Sequence, residues 1–290
     1  WRPRTKGCPA PPGVKRVEIP TGVILSRDEG EWISEDEIED TALPLYEGRM
    51  IGQYDFSQKG WVSGKGRGAV WRPIEWSKKR IEPQFLMGRN VFLEEVGQND
   101  PRALIMDVTS TTNERTVIST FGCGHPCGHK APTLTPISKS TVESLALVGL
   151  INSFGFDFLI RARLGGNSLI WSVLEATAVP AYSSEVATGL SRLVSRLCLD
   201  PRLFAPSLMH VWKGSVRLDP PALTLHERTR LRAILDASAA HLYGLDSGDL
   251  RHVLAHTDHP KGKAKTLQLN PKGFWRSDAS LAPELRHSVL

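Results

Sequence analysis

The sequence predicts a mixed α/β fold of the α+β type, in which a β-rich part is followed by a helical part. Short apolar runs separated by polar turn residues fill the stretch from residue 43 to residue 121, a pattern typical of strands joined by long loops. From residue 140 onward, apolar residues recur at the spacing of a helix face. Strands and helices do not alternate regularly, so a doubly wound parallel sheet is not expected.

Residues 1–40 are predicted to be an irregular, acidic lead-in from an upstream domain that is missing from this chain. Only VKRVEIP (14–20) and GVILS (22–26) have the character of short strands. The acidic residues are Asp28, Glu29, Glu31, Glu35, Asp36, Glu37, Glu39 and Asp40.

Residues 41–180 are predicted to form one α/β region. Its clearest strands are the apolar runs at 103–108 and 115–121, and the turn-forming residues STTNE lie between them, which predicts a hairpin or a strand–loop–strand unit. A helix is expected to begin at Ser140, because Ser140 and Glu143 fit a capping box. Gly149 and Gly155 interrupt the helical pattern, so a kink or two shorter helices is expected.

Residues 181–290 are predicted to form a helical C-terminal region. One helix is expected from Ser183 to about Leu199, and another from a capping box of Thr224 and Glu227 to a stop at Gly244. The stretch 201–221 has four prolines, which favours a linker between these helices. A short helix is expected at 248–256.

The net charge of +5 and the pI of 9.1 favour a polyanionic partner. Seven cations against the single acid Glu75 form a basic block at 59–80, and it contains Trp61, Trp71 and Trp76. Such a block can contact phosphates through its cations and bases through its tryptophans. The alternative is a solvated loop whose tryptophans pack into the core. The cations are Lys59, Lys65, Arg67, Arg72, Lys78, Lys79 and Arg80.

Three spaced segments resemble one protein family. They are LPLYEGRMIGQYD at 43–55, DVTSTTNERTVIS at 107–119 and LINSFGFDFLIRARLGG at 150–166. Together they resemble the C-terminal target-recognition region of large adenine-specific DNA methyltransferases, of the bifunctional type II restriction–modification and phage-defence type. Where that family often has His-Arg after the aromatic–Asp pair, this chain has Phe56-Ser57.

The resemblance implies that residues 41–180 recognise a DNA target. It implies that the parent protein is a site-specific adenine DNA methyltransferase that uses S-adenosyl-L-methionine, whereas this chain holds no cofactor and is inactive alone. The expected partners are double-stranded DNA and the upstream methyltransferase domain. The alternative is a non-catalytic structural or protein-interaction module of a defence complex. The expected DNA-binding residues are Arg49, Lys59, Lys65, Arg67, Arg72, Lys78, Lys79, Asn113, Arg115, His129 and Lys130.

Each motif also has an alternative interpretation in which its polar residues only stabilise the fold. Asn113 and Arg115 have the donors that read adenine and guanine, but Glu114 beside Arg115 equally favours an internal network that fixes a loop. Glu47 and Asp55 could bind arginines of the scaffold. Asp157 and Arg161 lie four residues apart on one helix face, so we expect them to pair as scaffold.

Catalytic and metal sites are not expected in this chain. The stretch DPPA at 219–222 has Ala222 where amino-methyltransferases have an aromatic residue, so we interpret it as a linker. CGHPCGH at 123–129 places four metal-type side chains too close together for one tetrahedral zinc ion. Four cysteines without a regular framework favour a reducing cytoplasm, and no apolar run reaches the roughly 20 residues of a membrane span.

Overall fold

The computed structural model describes residues 23–25, 32–34, 39–96, 100–111, 113–122, 124–215 and 218–255. Helices and small antiparallel sheets occur together, which confirms the mixed α+β class. Residue contacts divide the chain into two compact units, one of residues 1–43 with 87–97, and one of residues 44–86 with 98–290. The predicted divisions at residues 40 and 180 stay predictions.

The first unit contains a small hairpin and one helix. Strand β1 (Val23–Leu25) pairs antiparallel with β2 (Trp32–Ser34). Strand β1 confirms the strand expected at 22–26, whereas β2 lies in a stretch predicted to be irregular. VKRVEIP and most of the acidic stretch lie outside the described residues. Helix α1 (Arg89–Val96) was not predicted.

Three small sheets involve the segments from residue 42 to residue 134. Strand β3 (Ala42–Leu45) neighbours β6 (Phe85–Gly88) in one sheet. Strands β4 (Lys59–Ser63) and β5 (Val70–Pro73) form an antiparallel hairpin with a register shift between Trp61 and Ser63. In the third sheet, β7 (Arg102–Ile105) lies between β8 (Ser119–Gly122) and β9 (Thr133–Leu134). The pairing of β7 with β8 confirms the expected strand–loop–strand unit.

The helical pattern after residue 140 forms two helices, as expected. Helix α2 (Thr141–Ile151) ends at Asn152, and α3 (Phe154–Arg163) begins after Ser153, whose hydroxyl accepts the amide of Phe156. Ser140 caps α2 by accepting the amide of Glu143. The Glu143 carboxylate accepts the hydroxyl of Ser138 at 2.5 Å, and the Ser140 amide bonds Ser138 instead. Only half of the predicted capping box therefore forms.

The C-terminal helices follow the sequence prediction with one correction. Helix α4 (Trp171–Glu175) is short, α5 (Ser184–Cys198) is capped by Ser183, and α7 (Leu225–Leu242) is capped by Thr224. Helix α8 (Ser247–Ala255) follows. The predicted linker at 201–221 is wrong for its first half, because α6 (Pro201–Val211) occupies it.

The prolines in 201–211 favoured a linker in the sequence analysis, but α6 contains two of them. Pro201 stands at the first helical position, where its missing N–H would have no intrahelical partner, and Asp200 caps the helix by accepting the amide of Arg202 at 2.9 Å. Pro206 lies inside, and the helix is kinked at Phe204.

The core of the second unit is built from strands and helices together. Phe56 contacts Phe204 edge-to-face at a centroid distance of 5.0 Å, and Phe121 lies 5.7 Å from the same ring. Among the described residues no single helix is long and apolar enough to cross a membrane, and α2 and α3 reach that length only as a pair bent by 63°.

Candidate nucleic-acid interface

Two of the three sequence motifs meet at a polar cleft of about 390 Å³. One wall is the segment 53–58, which begins inside the first motif and continues beyond it. The other is the loop 113–118 from the second motif, and Arg232 of α7 also reaches the cleft. The lining residues are Gln53, Asp55, Gln58, Asn113, Glu114, Arg115, Ile118 and Arg232.

A tight turn fixes the first wall. Gly52 and Asp55 bond each other through both backbone amides, and Tyr54 adopts a positive φ of 56°. The amide of Tyr54 bonds the carbonyl of Ser119 on β8 at 3.0 Å, and its hydroxyl donates to the carbonyl of Gly149 on α2 at 3.4 Å. Burial raises the pKa of Tyr54 well above its usual value. The turn is thus anchored on both the sheet and a helix.

The third motif holds the second wall. Arg161 of α3 donates to the backbone carbonyls of Thr111, Asn113 and Glu114 at 2.6, 2.8 and 2.9 Å. Asp157 bonds Arg161 at 2.6 Å and accepts the amide of Val117 at 2.6 Å. The predicted pairing of Asp157 with Arg161 is confirmed, and its function is to carry the loop.

Arg115 lies inside the protein, with 5% of its surface exposed. Its guanidinium bonds Asp236 of α7 at 3.2 Å and stacks on the ring of Phe154 at 3.5 Å. These contacts favour the internal network for Arg115, which also lines the cleft, and its expected DNA contact stays a prediction. Asn113 is half-buried and lines the cleft, so its predicted contact stays a prediction.

The cations of the basic block differ in their surroundings. Arg72 and Arg80 both bond Glu82, and Lys78 bonds Glu75 at 3.1 Å. Lys59, Lys65 and Arg67 are exposed and form no ion pair with any residue in the described part of the chain. Arg49, exposed on the neighbouring turn, donates to the carbonyl of Gly66 at 3.4 Å. These four residues, Arg49, Lys59, Lys65 and Arg67, are called the hairpin cations below.

Lys79 is the exception in the basic block, because only 5% of its surface is exposed. It bonds Asp55 at 2.6 Å and the carbonyl of Ser57 at 2.7 Å. Burial lowers the pKa of Lys79, and the neighbouring Asp55 opposes that shift. These bonds and the burial favour a structural role for Lys79, and its expected DNA contact stays a prediction. Asp55 binds this lysine rather than an arginine.

The three tryptophans of the basic block also differ in how they are packed. Trp76 packs on Phe56, and the guanidinium of Arg228 lies 4.1 Å from its ring centre, so the core interpretation holds for it. Trp61 and Trp71 are half-buried and lie opposite each other in the register of the hairpin strands, and Trp71 also packs against a small buried cluster that includes Met50. Arg49 lies 6.0 Å from the Trp71 ring. Two tryptophans therefore adjoin the hairpin cations.

His129 and Lys130 lie on a loop beside the first motif. His129 is exposed, and Lys130 bonds Asp107 at 2.6 Å while staying 45% exposed at its side chain. The carbonyl of Lys130 approaches Gly48 so closely that a Cβ there would lie 2.4 Å away. Cys127 is half-buried, and burial raises its pKa to about 11.

Potential metal ligands do not cluster in the described part of the chain. No group of three or more His, Cys, Asp or Glu residues there could hold a metal ion. Cys123 of the CGHPCGH stretch lies outside the described residues, so the zinc prediction stays a prediction. In the DPPA stretch, Ala222 is fully buried and its amide bonds the carbonyl of Arg196.

Sequence reasoning missed Gln53, Gln58 and Arg232 as cleft residues. The sequence did contain a pattern that could have indicated Arg232. Polar residues recur at every fourth position of α7, next to its apolar core positions Leu231 and Leu235, and they are Arg228, Arg232 and Asp236. Polar side chains on a buried helix face indicate internal partners or a site.

Comparisons with known proteins add no relative. No family model, no curated protein and no solved structure matches the chain. The proposals below therefore depend on the motifs and on the geometry of the cleft and the hairpin.

Proposed function

We propose that this chain is the DNA-binding, target-recognition part of a site-specific adenine DNA methyltransferase of a restriction–modification or phage-defence system. The observation that carries the proposal is the position of the hairpin cations. Lys59 follows directly after Gln58, which lines the cleft, and Arg49 reaches the carbonyl of Gly66 in the hairpin turn. Cations that form no ion pair with any described residue therefore lie on a hairpin whose first strand follows directly from the cleft residue Gln58.

The two surfaces have different roles in this proposal. The hairpin cations neutralise phosphates and release counterions, which gives affinity without regard to sequence. Asn113 and Gln58 have side-chain amides that can bond base edges and so discriminate between sequences. Catalysis and S-adenosyl-L-methionine binding belong to a methyltransferase domain upstream in the same polypeptide, and the protein acts in the cytoplasm.

A matched pair of quadruple variants tests the phosphate role. Changing the four hairpin cations to Ala should weaken binding to every duplex alike. The slope of log affinity against log salt should fall by roughly 0.9 per lost contact. The control changes Arg163, Lys213, Arg230 and Arg251, which are exposed elsewhere on the same unit, to Ala and so removes equal charge. Equal slopes for the two variants would sink the proposal.

Single substitutions in the loop 113–118 test sequence reading. Asn113→Ala should lower affinity for the preferred site by about 1–3 kcal/mol, with little change for random DNA and for the melting temperature. Arg115→Ala should instead lower the melting temperature, because it leaves Asp236 buried without its guanidinium. Loss of site preference without loss of stability in Arg115→Ala would contradict this assignment.

A protein-interaction module of a defence complex is the second candidate. One observation favours it, an apolar cleft of about 360 Å³ at the start of α6. Trp76, Pro201, Pro221 and Leu223 are among its lining residues. Tight association with another protein, without measurable duplex binding at low salt, would favour this candidate over DNA recognition.

A further inference from the structure

The polar cleft contains two opposite charges that do not pair with each other. Asp55 is bonded to Lys79, and Arg115 is bonded to Asp236. That leaves Glu114 and Arg232, neither of which forms an ion pair with a residue in the described ranges. The charge of Glu114 acts on Arg232 across the cleft without a direct ion pair, so the two groups are placed to bond one ligand between them.

Arg232 is placed to donate into this cleft. Its Nε atom is buried and has no hydrogen-bond partner in the described part of the chain. Its only described bond is a long one of 3.5 Å to the carbonyl of Gln53, and burial lowers its pKa. A buried guanidinium nitrogen without an acceptor lowers the stability of the folded protein. Such a group is typical of a binding site, where the ligand supplies the missing acceptor.

The lining suits a small ligand that combines an apolar face with hydrogen-bonding edges. Ile118 offers an apolar surface, while Gln58 and Asn113 offer side-chain amides. A volume of about 390 Å³ lies in the range of small-molecule sites. The ligand must present two acceptors to a guanidinium and donors to a carboxylate.

Among the nucleobases, guanine has this arrangement. Its O6 and N7 atoms accept two bonds from arginine, and its N1–H and N2–H₂ groups can donate side by side to a carboxylate. Adenine lacks the paired donors, and cytosine lacks the paired acceptors of O6 and N7. The base must be unpaired, because N1–H and N2–H₂ are engaged in a Watson–Crick pair.

We propose that the cleft binds an unpaired guanine base, with Arg232 on O6 and N7 and Glu114 on N1–H and N2–H₂. The proposal deepens the proposed function and rests on it for the source of the base. That source is either an extrahelical guanosine of DNA or a free guanine nucleotide, since both present the same edges.

Titration with nucleotides tests the base preference directly. By calorimetry on the full chain, GMP should bind at least about tenfold more tightly than AMP. IMP, which lacks the N2 amino group, and 7-deaza-GMP, which lacks the N7 acceptor, should each bind more weakly than GMP. Equal affinity for GMP and AMP, or no GMP binding at millimolar concentration, would overturn the proposal.

Variants assign each edge to a residue. Glu114→Gln should abolish the preference for GMP over IMP. Arg232→Met, which removes every side-chain donor, should abolish the preference for GMP over 7-deaza-GMP. Glu175→Gln and Arg230→Met, at exposed positions, are the matched controls and should keep both preferences. Each readout is the ratio of the affinities for two ligands. A variant that is only less stable would weaken binding of both ligands alike and would leave this ratio unchanged. An unchanged ratio in a folded Glu114→Gln protein refutes the assignment.

A DNA titration then identifies the source. A duplex with one bulged guanosine should bind more tightly than duplexes with a bulged adenosine or no bulge, and Glu114→Gln should remove that advantage. If GMP binds but no duplex does, the guanine site stands with a free nucleotide as its ligand, and the DNA proposal fails. If duplex binds without any guanine preference, the cleft inference fails alone.

Discussion

Two buried carboxylates organise the loop that carries Asn113 and Glu114. Asp157 accepts the Nε of Arg161 and the amide of Val117. Asp236 accepts Arg115 and the amide of Phe154. Each carboxylate therefore joins one guanidinium to one backbone amide, which satisfies charges that would be costly in the interior.

The separation of two residues along the chain determines whether the sequence could predict that they pair. Asp157 and Arg161 are one helical turn apart, so their spacing alone predicts contact. Arg115 and Asp236 are separated by 121 residues, and no local pattern joins them. The burial of Arg115 could therefore not be predicted from the motif that contains it.

At the residue scale we expect Asp157→Ala to be among the most destabilising single changes. Asp157 is fully buried, and its loss removes the ion pair with Arg161 and the acceptor of the Val117 amide. Breaking a buried pair in this way costs about 3–5 kcal/mol, measurable by urea unfolding. Glu175→Ala, at an exposed position, should change stability by less than about 0.5 kcal/mol. A cost below about 1 kcal/mol for Asp157→Ala would contradict the network.

At the scale of elements, helix starts were predictable and the partners of helix residues were not. Ser140, Ser183 and Thr224 all cap as expected, because capping depends on neighbouring residues. Glu227 was expected to reach back to the cap, but its carboxylate bonds Arg196 of α5 instead. The packing of α5 against α7 thus gives Glu227 a partner other than the cap residue that its local sequence predicts.

The basic block at residues 59–80, which includes the β4–β5 hairpin, also has partners that its local sequence does not reveal. The sequence placed its cations and tryptophans in one block but could not separate Lys79, which is buried, from Lys65, which is exposed. That difference arises from the position of Asp55, more than twenty residues earlier in the printed sequence.

For this hairpin we expect Gly64→Ala to impair DNA binding. Gly64 has a φ of +77°, and a Cβ there would lie 2.3 Å from the carbonyl of Gly68, so the turn bearing Lys65 and Arg67 must shift. The strain is about 1–2 kcal/mol and local. Gly68→Ala is the matched control, because a Cβ at Gly68 meets nothing within 4 Å. Affinity at fixed salt should fall only for Gly64→Ala, and equal affinities would argue against a defined turn.

At the scale of the whole second unit, one core joins the strands to the C-terminal helices. Phe56 and Phe121 both pack on Phe204 of α6. Arg228 of α7 donates to the carbonyls of Leu197, Ala222 and Tyr54, at 3.0, 3.1 and 3.3 Å. Segments on both sides of residue 180 therefore supply one another's buried surface and hydrogen-bond partners.

We accordingly expect residues 41–180 and 181–290 not to fold as separate domains. Expressed alone, each fragment should lack a cooperative thermal transition, because the rings of Phe56 and Phe121 lose Phe204 and the buried Arg228 loses its Tyr54 acceptor. Mixing the fragments should restore helical circular dichroism in proportion to complex formation. In the full chain, tryptophan fluorescence should change with the helical signal, because Trp76 packs among residues from both halves. A fragment 41–180 that unfolds cooperatively and binds duplex DNA by itself would show instead that the helices are dispensable for recognition.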